Sequence, residues 1–373
     1  MPNKKRIIFI IPTLMNGGAE RVLLNLVNNM DYDKFDVSLK TVMDVGRYKE
    51  KLDKRVHYSY MFSSFRRGCR LWFMLKSPER CFKKYIGGGY DIVVSYLEGM
   101  TARIVSGCNA KNVKKIAWIH IELLSDKMFS TGFRTINEAK KCYKKFDNII
   151  CVSQTVKKSF EKISGITNNT SVLYNTNDVS NILALKDEDV NDVVFSRRMC
   201  NICSVAKIQL SKGFDRLARI QKKLIENGYN THIYIIGVGT EQKKIQTYLK
   251  AKGISNTFTF LGYKENPYKY MSKCDLYVCS SRREGFSTAV TEALIIGLPV
   301  ISTRCSGAEE LLGCNNEYGI VTDNDEESLY LGIKDIIGSP SKLNKYKQAA
   351  IGRGRFFSTQ STVTAVMKML LEE

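Results

Sequence analysis

The chain has 373 residues, enough for about two domains, and its 44% hydrophobic and 25% charged residues are those of an ordinary globular protein. No run approaches the roughly 18–20 uninterrupted apolar residues of a membrane span, and the apolar content is too high for a disordered chain. Lys and Arg (57) exceed Asp and Glu (37), and residues 1–180 hold 31 of the basic against 16 of the acidic side chains. A basic first half suits an anionic surface, whether nucleic acid, a membrane leaflet or a phosphorylated substrate. A lysine-rich background serving only solubility is the plain alternative.

Residues 6–12 form an apolar run that predicts a buried strand, closed by a turn at Met15-Asn16-Gly17-Gly18. A helix follows over 19–30, with Val22, Leu23, Leu26 and Val27 on one face, and further strands are predicted at 35–42, 91–96, 115–119 and 148–152. The polar stretch 175–198 is expected to be a linker. Beyond it the alternation restarts, with strands at 201–205, 232–236, 257–261, 276–279, 299–303 and 319–322. Helices are predicted between them at 214–227, 241–252, 288–296 and 327–337. Strands alternating with helices at this spacing predict two parallel doubly wound sheets, an α/β architecture of two Rossmann-like halves. Ligands of such sheets lie beyond the carboxyl ends of the strands, so the cleft between the halves is the expected site.

There are eleven cysteines, and no secretory leader is expected ahead of them. Lys4-Lys5-Arg6 and the apolar run after it imitate one, but that run is short, meets Pro12 and has no small-residue cleavage site. A reducing cytoplasm is expected. Cys200-x-x-Cys203 lacks the second pair a zinc ribbon needs, and strand alternation puts its members on opposite faces, so buried free thiols are expected.

Three loops carry the chemistry. Gly17-Gly18 closes the first strand and opens a helix, a turn whose backbone N–H groups can approach an anion; a purely structural turn is as consistent with two glycines. Lys207 and Lys212, five apart on the loop after the 201–205 strand, can converge on one diphosphate or stay solvated. The richest segment is Glu284-Gly285-Phe286-Ser287-Thr288-Ala289-Val290-Thr291-Glu292, where a strand end, a glycine loop and a helix start succeed one another. The N–H groups of Phe286, Ser287 and Thr288 suit phosphate, and Glu284 and Glu292 can accept from sugar hydroxyls.

Together these loops resemble the family 4 retaining glycosyltransferases of the GT-B fold (glycosyltransferase group 1). Supporting segments are Ile149-Ile150-Cys151-Val152-Ser153, Leu173-Tyr174-Asn175, Ile236-Gly237-Val238-Gly239, Leu261-Gly262-Tyr263 and Gly297-Leu298-Pro299-Val300-Ile301. The resemblance spans nearly the whole chain. It implies an acceptor-binding domain over 1–183, a nucleotide-sugar-binding domain over 184–355, and a final helix over 356–373 packing back on the first domain. Glu284 would contact hydroxyls of the donor sugar and Glu292 the ribose. Amides of Gly285, Phe286, Ser287 and Thr288, with Gly17 and Gly18, would hold the diphosphate. Lys207 and Lys212 would neutralise the leaving nucleoside diphosphate, and Gly237, Gly239 and Tyr263 would line the base pocket. His120, in Trp118-Ile119-His120-Ile121-Glu122, matches the histidine bordering the donor sugar. The family usually has Arg where Lys207 stands, so a forked phosphate contact becomes a point charge.

Neither a metal nor another cofactor is expected. Asp31-Tyr32-Asp33 and Asp323-Asn324-Asp325 resemble the Asp-x-Asp of metal-dependent transferases but lie in turn-like stretches. His57 has no supporting context, and His232 begins a strand and suits packing.

Residues 62–85 interleave Arg66, Arg67, Arg70, Lys76, Arg80, Lys83 and Lys84 with aromatic and aliphatic side chains, and only Glu79 is acidic. That is the composition of an interfacial helix on anionic lipid. The expected protein is therefore a cytoplasmic hexosyltransferase, peripheral on the inner face of the plasma membrane. It would move a hexose or N-acetylhexosamine from a UDP-sugar to a lipid-linked or glycan acceptor, and no nucleic acid partner is expected. The alternatives are a UDP-sugar epimerase of the same fold and a basic RNA-binding protein. The second leaves Glu284 and Glu292 without a task.

Overall fold

The structure is a computed structural model that describes residues 4–15, 17–64 and 68–372. Asn16 of the predicted turn and Phe65, Arg66 and Arg67 of the basic stretch lie outside the described residues, as do the side chains of Cys69 and Arg70. The chain divides into two compact units, one holding residues up to Asn177 together with those from Thr359 onward, the other Asp178–Ser358. The family resemblance implies these divisions at 183/184 and 355/356.

Among the described residues, unit 1 is built on seven parallel strands: β1 (Lys5–Ile11), β2 (Phe35–Met43), β3 (His57–Phe62), β4 (Ile92–Ser95), β5 (Lys114–Ile119), β6 (Asn148–Cys151) and β7 (Thr170–Val172), in the order β3-β2-β1-β4-β5-β6-β7. The inner strand β1 has Ile7 to Ile11 wholly buried, which a parallel sheet covered on both faces requires. The helix Gly18–Asn28 buries Val22, Leu23, Leu26 and Val27. The two edge strands were not foreseen, because β3 keeps half-exposed polar side chains and β7 has three residues. His57 lies on β3 and pairs with Asp36 at 3.0 Å. The helix Thr359–Leu371 belongs to this unit, burying Val363, Val366, Met369 and Leu370. Lys114 Nζ donates to its Met369 carbonyl at 2.9 Å.

Unit 2 has six parallel strands: β8 (Cys200–Val205), β9 (Thr231–Ile236), β10 (Phe258–Gly262), β11 (Leu276–Cys279), β12 (Val300–Thr303) and β13 (Ile320–Thr322), in the order β10-β9-β8-β11-β12-β13. Ile202, Leu217, Ile233, Ile235, Val278, Ile301 and Ile333 form the heart of its core. The expected linker 175–198 is corrected: it contains the helix Val179–Leu185, and the residues after it are strapped to this unit. Asn266 Nδ2 donates to the Leu185 carbonyl at 2.8 Å, Ser272 Oγ to that of Lys186 at 2.8 Å, and the Tyr270 hydroxyl to Asp192 at 2.9 Å. Polarity there serves side-chain hydrogen bonding rather than solvation. His232 stacks on Tyr234 at 4.3 Å and bonds Thr259 at 2.8 Å, as packing predicts.

The ten described cysteines are free thiols, and Cys314 is exposed, so burial is not universal. Among the described residues no helix is long and apolar enough to cross a membrane.

Candidate active site

In unit 2 the strand order reverses between β8 and β11, so the loops leaving their carboxyl ends border the crevice where doubly wound sheets take ligands. The loop after β8 carries Lys207 and Lys212; the loop after β11 carries Ser281 and Glu284. Gly213 ends the first loop with φ +70°, and a Cβ there would overlap the Ser280 carbonyl oxygen. Only glycine allows both the left-handed backbone and that approach. Ser280 Oγ donates to the Lys212 carbonyl at 2.9 Å, tying the loops side by side.

The result is a compact polar cluster. Lys212 Nζ donates to both carboxylate oxygens of Glu284 at 2.7 Å, and Ser281 Oγ donates to Glu284 Oε1 at 2.5 Å. Their side chains are only 21% (Lys212) and 12% (Glu284) exposed. Burial works against the Lys212 ammonium, but the Glu284 charge and hydrogen bond outweigh it and hold the pKa above the ordinary lysine value. Lys207 is exposed on the same loop. Gly237 and Gly239 follow β9, and a Cβ on either would overlap the backbone carbonyl of Ala206 or Ile208. Ile208 N–H donates to the Val238 carbonyl at 3.0 Å, so the two glycines fix the course of the lysine loop.

After Glu284 the chain passes Gly285 and the buried Phe286 to Ser287, which caps the helix Thr288–Ile296 by accepting from Val290 N–H at 3.4 Å. Glu292, on that helix, is 3% exposed and accepts from the Tyr268 hydroxyl at 3.2 Å. Tyr263 is 46% exposed just past β10. The structure thus joins Lys212, Glu284 and Ser281 in direct contact, with Lys207 and Tyr263 open to solvent and Glu292 enclosed. Ser281 was missed, although two serines directly after a strand end are a usable signal.

Unit 1 has its own reversal between β1 and β4. Gly17 precedes the first turn of the helix Gly18–Asn28, and a Cβ on it would overlap the Glu20 carboxylate. His120 follows β5: its backbone N–H donates to Glu98 Oε2 at 2.9 Å and its ring lies 5.0 Å from that of Tyr96. Its Nε2 is buried and, among the described residues, unpartnered. Desolvation pushes the His120 pKa down to about 3, so the ring is neutral near pH 7, while burial pushes Glu98 up. Glu98 was also missed; it follows an apolar strand and precedes Gly99, whose φ is +87°.

A group whose folded pKa lies below its unfolded value of about 6.5 binds fewer protons when folded, so its stability contribution is lost as pH falls through that window. The melting temperature should therefore drop between pH 6.5 and 4, and His120→Gln should flatten that drop. Glu98 acts in the opposite sense in both proteins, so comparing their thermal melts isolates the imidazole.

Asp31 Oδ1 accepts from Asp33 N–H at 3.0 Å, and Asp325 caps the helix Glu326–Ile337 through Ser328 N–H at 2.8 Å. Asn324 bonds Arg216 at 2.9 Å. These are the local tasks of turn residues.

With this geometry in view, the sequence comparisons are decisive for class. Residues 16–181 match the model of Glycosyltransferase Family 4 and residues 188–353 that of Glycosyl transferases group 1. The chain belongs to this family of glycosyltransferases, and its two Rossmann-like sheets are those of the GT-B fold. One relative is the N-acetylgalactosamine-N,N'-diacetylbacillosaminyl-diphospho-undecaprenol 4-alpha-N-acetylgalactosaminyltransferase of Campylobacter jejuni, 30% identical over 54% of this chain and 53% of that one. The chain thus matches about half the length of that relative. An uncharacterized glycosyltransferase of Haemophilus influenzae is 24% identical over 90% of this chain and 91% of its own. Among solved structures, Anabaena Alr3699/HepE in complex with UDP-glucose superposes with a TM-score of 0.77 at 18% identity, covering 98% of this chain and 99% of that one. Sucrose-phosphate synthase of Thermosynechococcus elongatus reaches 0.77 at 14% identity, over 98% of each chain.

Proposed function

We propose that this glycosyltransferase moves a hexose or N-acetylhexosamine from a UDP-sugar to a lipid-linked or glycan acceptor in cell-surface glycan assembly, with retention of anomeric configuration. The observation that carries the reading is the Lys212–Glu284–Ser281 cluster at the strand reversal of unit 2. Support for the donor comes from the UDP-glucose complex of the Anabaena neighbour, and for the acceptor from the diphospho-undecaprenol in the Campylobacter relative's name.

In this reading Lys212 and Lys207 meet the charge that builds on the diphosphate as the bond from the anomeric carbon to the phosphate oxygen breaks. Amides of Gly285, Phe286, Ser287 and Thr288 add the positive end of a helix. Glu284 accepts from sugar hydroxyls and Glu292 from the ribose, while Gly237, Gly239 and Tyr263 border the base. The acceptor hydroxyl attacks from the face the diphosphate leaves, and its proton passes to the departing phosphate oxygen. His120, neutral, can serve as a hydrogen-bonding group rather than a cation. Gly17 and Gly18 offer further amides to phosphate. With two lysines and a helix terminus meeting the charge, no resident metal is needed.

The test is release of nucleoside diphosphate from a panel of UDP-, GDP- and ADP-sugars, with a lipid-diphosphate sugar acceptor and with or without EDTA. UDP release that EDTA leaves unchanged, with the product anomer matching the donor by NMR, is the expected result. Absence of turnover and of binding for every donor would sink the reading.

The basic stretch is corrected in form. It is two short helices, Cys69–Leu75 and Pro78–Tyr85, because Ser77 caps the second and Pro78 starts it. Rings of Phe62, Trp72, Phe73 and Tyr85 pack on one another at 5.2–6.3 Å, so these aromatics consolidate the unit itself. What stays outward is Leu71 and Leu75, 63% and 70% exposed and one turn apart on the first helix, and Arg80, Lys83 and Lys84, exposed on the second. We propose that this face rests on anionic lipid at the inner leaflet. At about 1 kcal/mol per cation near such a surface, the double variant Lys83→Ala/Lys84→Ala should bind phosphatidylserine vesicles about 30-fold more weakly. Raising salt from 0.1 to 0.5 M should weaken the wild type similarly. Equal sedimentation of both proteins with vesicles would refute the docking face.

A further inference from the structure

The polar cluster depends on two loops that are far apart in sequence, and the structure supplies a fastening between them that neither motif reveals. Arg282 sits between Ser281 and Glu284 and also reaches into the loop that carries Lys212. Its backbone N–H donates to the Ser211 carbonyl at 2.7 Å, and its Nη1 to that of Leu210 at 2.6 Å. The same guanidinium takes both carboxylate oxygens of Asp215, Nη1 to Oδ1 at 2.7 Å and Nη2 to Oδ2 at 2.7 Å. Asp215 stands in the first turn of the helix Phe214–Glu226, directly after Gly213. Arg282 thus grips the lysine loop on both sides of Lys212.

A second arginine completes the fastening from below. Arg216, 4% exposed, donates through Nε to the Ser280 carbonyl at 2.7 Å and through Nη2 to Asn324 Oδ1 at 2.9 Å. Asn324 Nδ2 in turn donates to the Arg282 carbonyl at 3.0 Å. Burial alone would raise the Asp215 pKa; the Arg282 and Arg219 guanidiniums hold it down near 2, so its charge persists through the working pH range.

We infer that Arg282, through its forked pair with Asp215, is a positioning residue for transfer, holding Lys212 and Glu284 in register while ligand charge enters between them. The inference rests on the reading of these two residues given under Proposed function. Lys212 is held by Glu284 itself. Once a diphosphate draws the ammonium away, that pair no longer fixes the loops, and the Arg282 contacts remain. A planar five-donor guanidinium can hold a loop carbonyl and both oxygens of a carboxylate at once in fixed geometry; an ammonium on a flexible stem cannot. Misplacing a catalytic group by about 1 Å can cost 100-fold in rate.

The test compares Arg282→Ala, Arg282→Lys, Asp215→Ala and the Arg282→Ala/Asp215→Ala double variant with the wild type in the UDP-sugar assay. Hydrogen exchange of residues 207–213 is followed with and without UDP. Arg282→Ala is expected to lower kcat 10- to 100-fold, to change the donor KM less than threefold, and to speed exchange in 207–213, most with UDP bound. Arg282→Lys should recover only part of kcat, and the double variant should be no worse than either single one. Unchanged exchange in 207–213 would overturn the fastening whether or not the protein turns over any donor. Faster exchange with wild-type kcat and KM would show a structural role alone and overturn the positioning role. A wild type inactive with every donor would instead defeat the functional reading, and exchange would still report on the fastening.

Discussion

Lys212→Ala is expected to lower kcat for UDP release by about 10²–10³, the usual effect of removing one group aimed at charge that develops in the transition state. The fold should tolerate the change. Glu284 keeps its bond from Ser281 Oγ, and the loop keeps its hydrogen bonds to Ser280 and Arg282. Both side chains retain some access to water, so loss of the pair should cost about 1–3 kcal/mol rather than the larger figure for a sealed pair. Lys212→Arg keeps the charge but must seat a longer, planar group against Glu284, and should remain well below wild type. The decisive comparison is kcat against melting temperature. A variant that melts near the wild type and turns over 100-fold more slowly fits the proposed role; turnover within threefold of wild type would remove Lys212 from it.

Arg103→Leu should be the most damaging single change to stability. Arg103 is fully buried and makes four hydrogen bonds to three acceptors on two segments: to the Phe73 carbonyl at 2.7 Å, to that of Lys76 at 2.8 Å, and to Glu138 Oε1 from Nε at 3.1 Å and Nη2 at 2.9 Å. Leucine fills part of the volume and leaves Glu138 its Arg134 contacts, the Lys76 carbonyl the Arg134 Nη2 at 3.3 Å and the Phe73 carbonyl the Cys81 thiol at 3.9 Å, all weaker than the guanidinium they lose. Breaking a buried pair from one side costs about 3–5 kcal/mol. In a unit of this size each kcal/mol moves the melting temperature about 2–4 °C, so a drop of roughly 6–20 °C is expected by calorimetry. Because two of those carbonyls end the Cys69–Leu75 helix, vesicle binding should fall as well, even below the melting transition. A drop under 2 °C would show that water or neighbouring groups replace the guanidinium.

What could be read from sequence follows from how local each signal is. The inner strands β1, β4, β5, β6, β8, β9, β11 and β12 were legible because burial on both faces leaves near-continuous apolar runs. The edges β3 and β7 lack that signature. The helix Pro340–Phe356 was missed because its buried stripe is only Tyr346, Ala350 and Gly354, and the last must be small to lie against the Leu294 and Ile295 backbone. Lys212 and Glu284 could be named because each sits a few residues past a strand end. Asp215, Arg216 and Arg282 acquire meaning only once β8 and β11, more than 70 residues apart in the chain, lie side by side. Glu98 is the same case in unit 1, defined by its contact with His120 across adjacent strands.

The helix Thr359–Leu371 gives the chain an order of assembly. Its apolar face covers unit 1, whose other residues leave the ribosome before Asp178. At about 5–20 residues per second, making the intervening unit takes roughly 10–35 s. Throughout that interval the nascent first unit presents an uncovered apolar strip, while unit 2, continuous in sequence, can fold with nothing owed to later residues. The first part synthesised is thus the last completed. A ribosome that stalls within Asp178–Ser358 exposes a sticky intermediate, and chaperone dependence during synthesis should map to the first unit rather than the second.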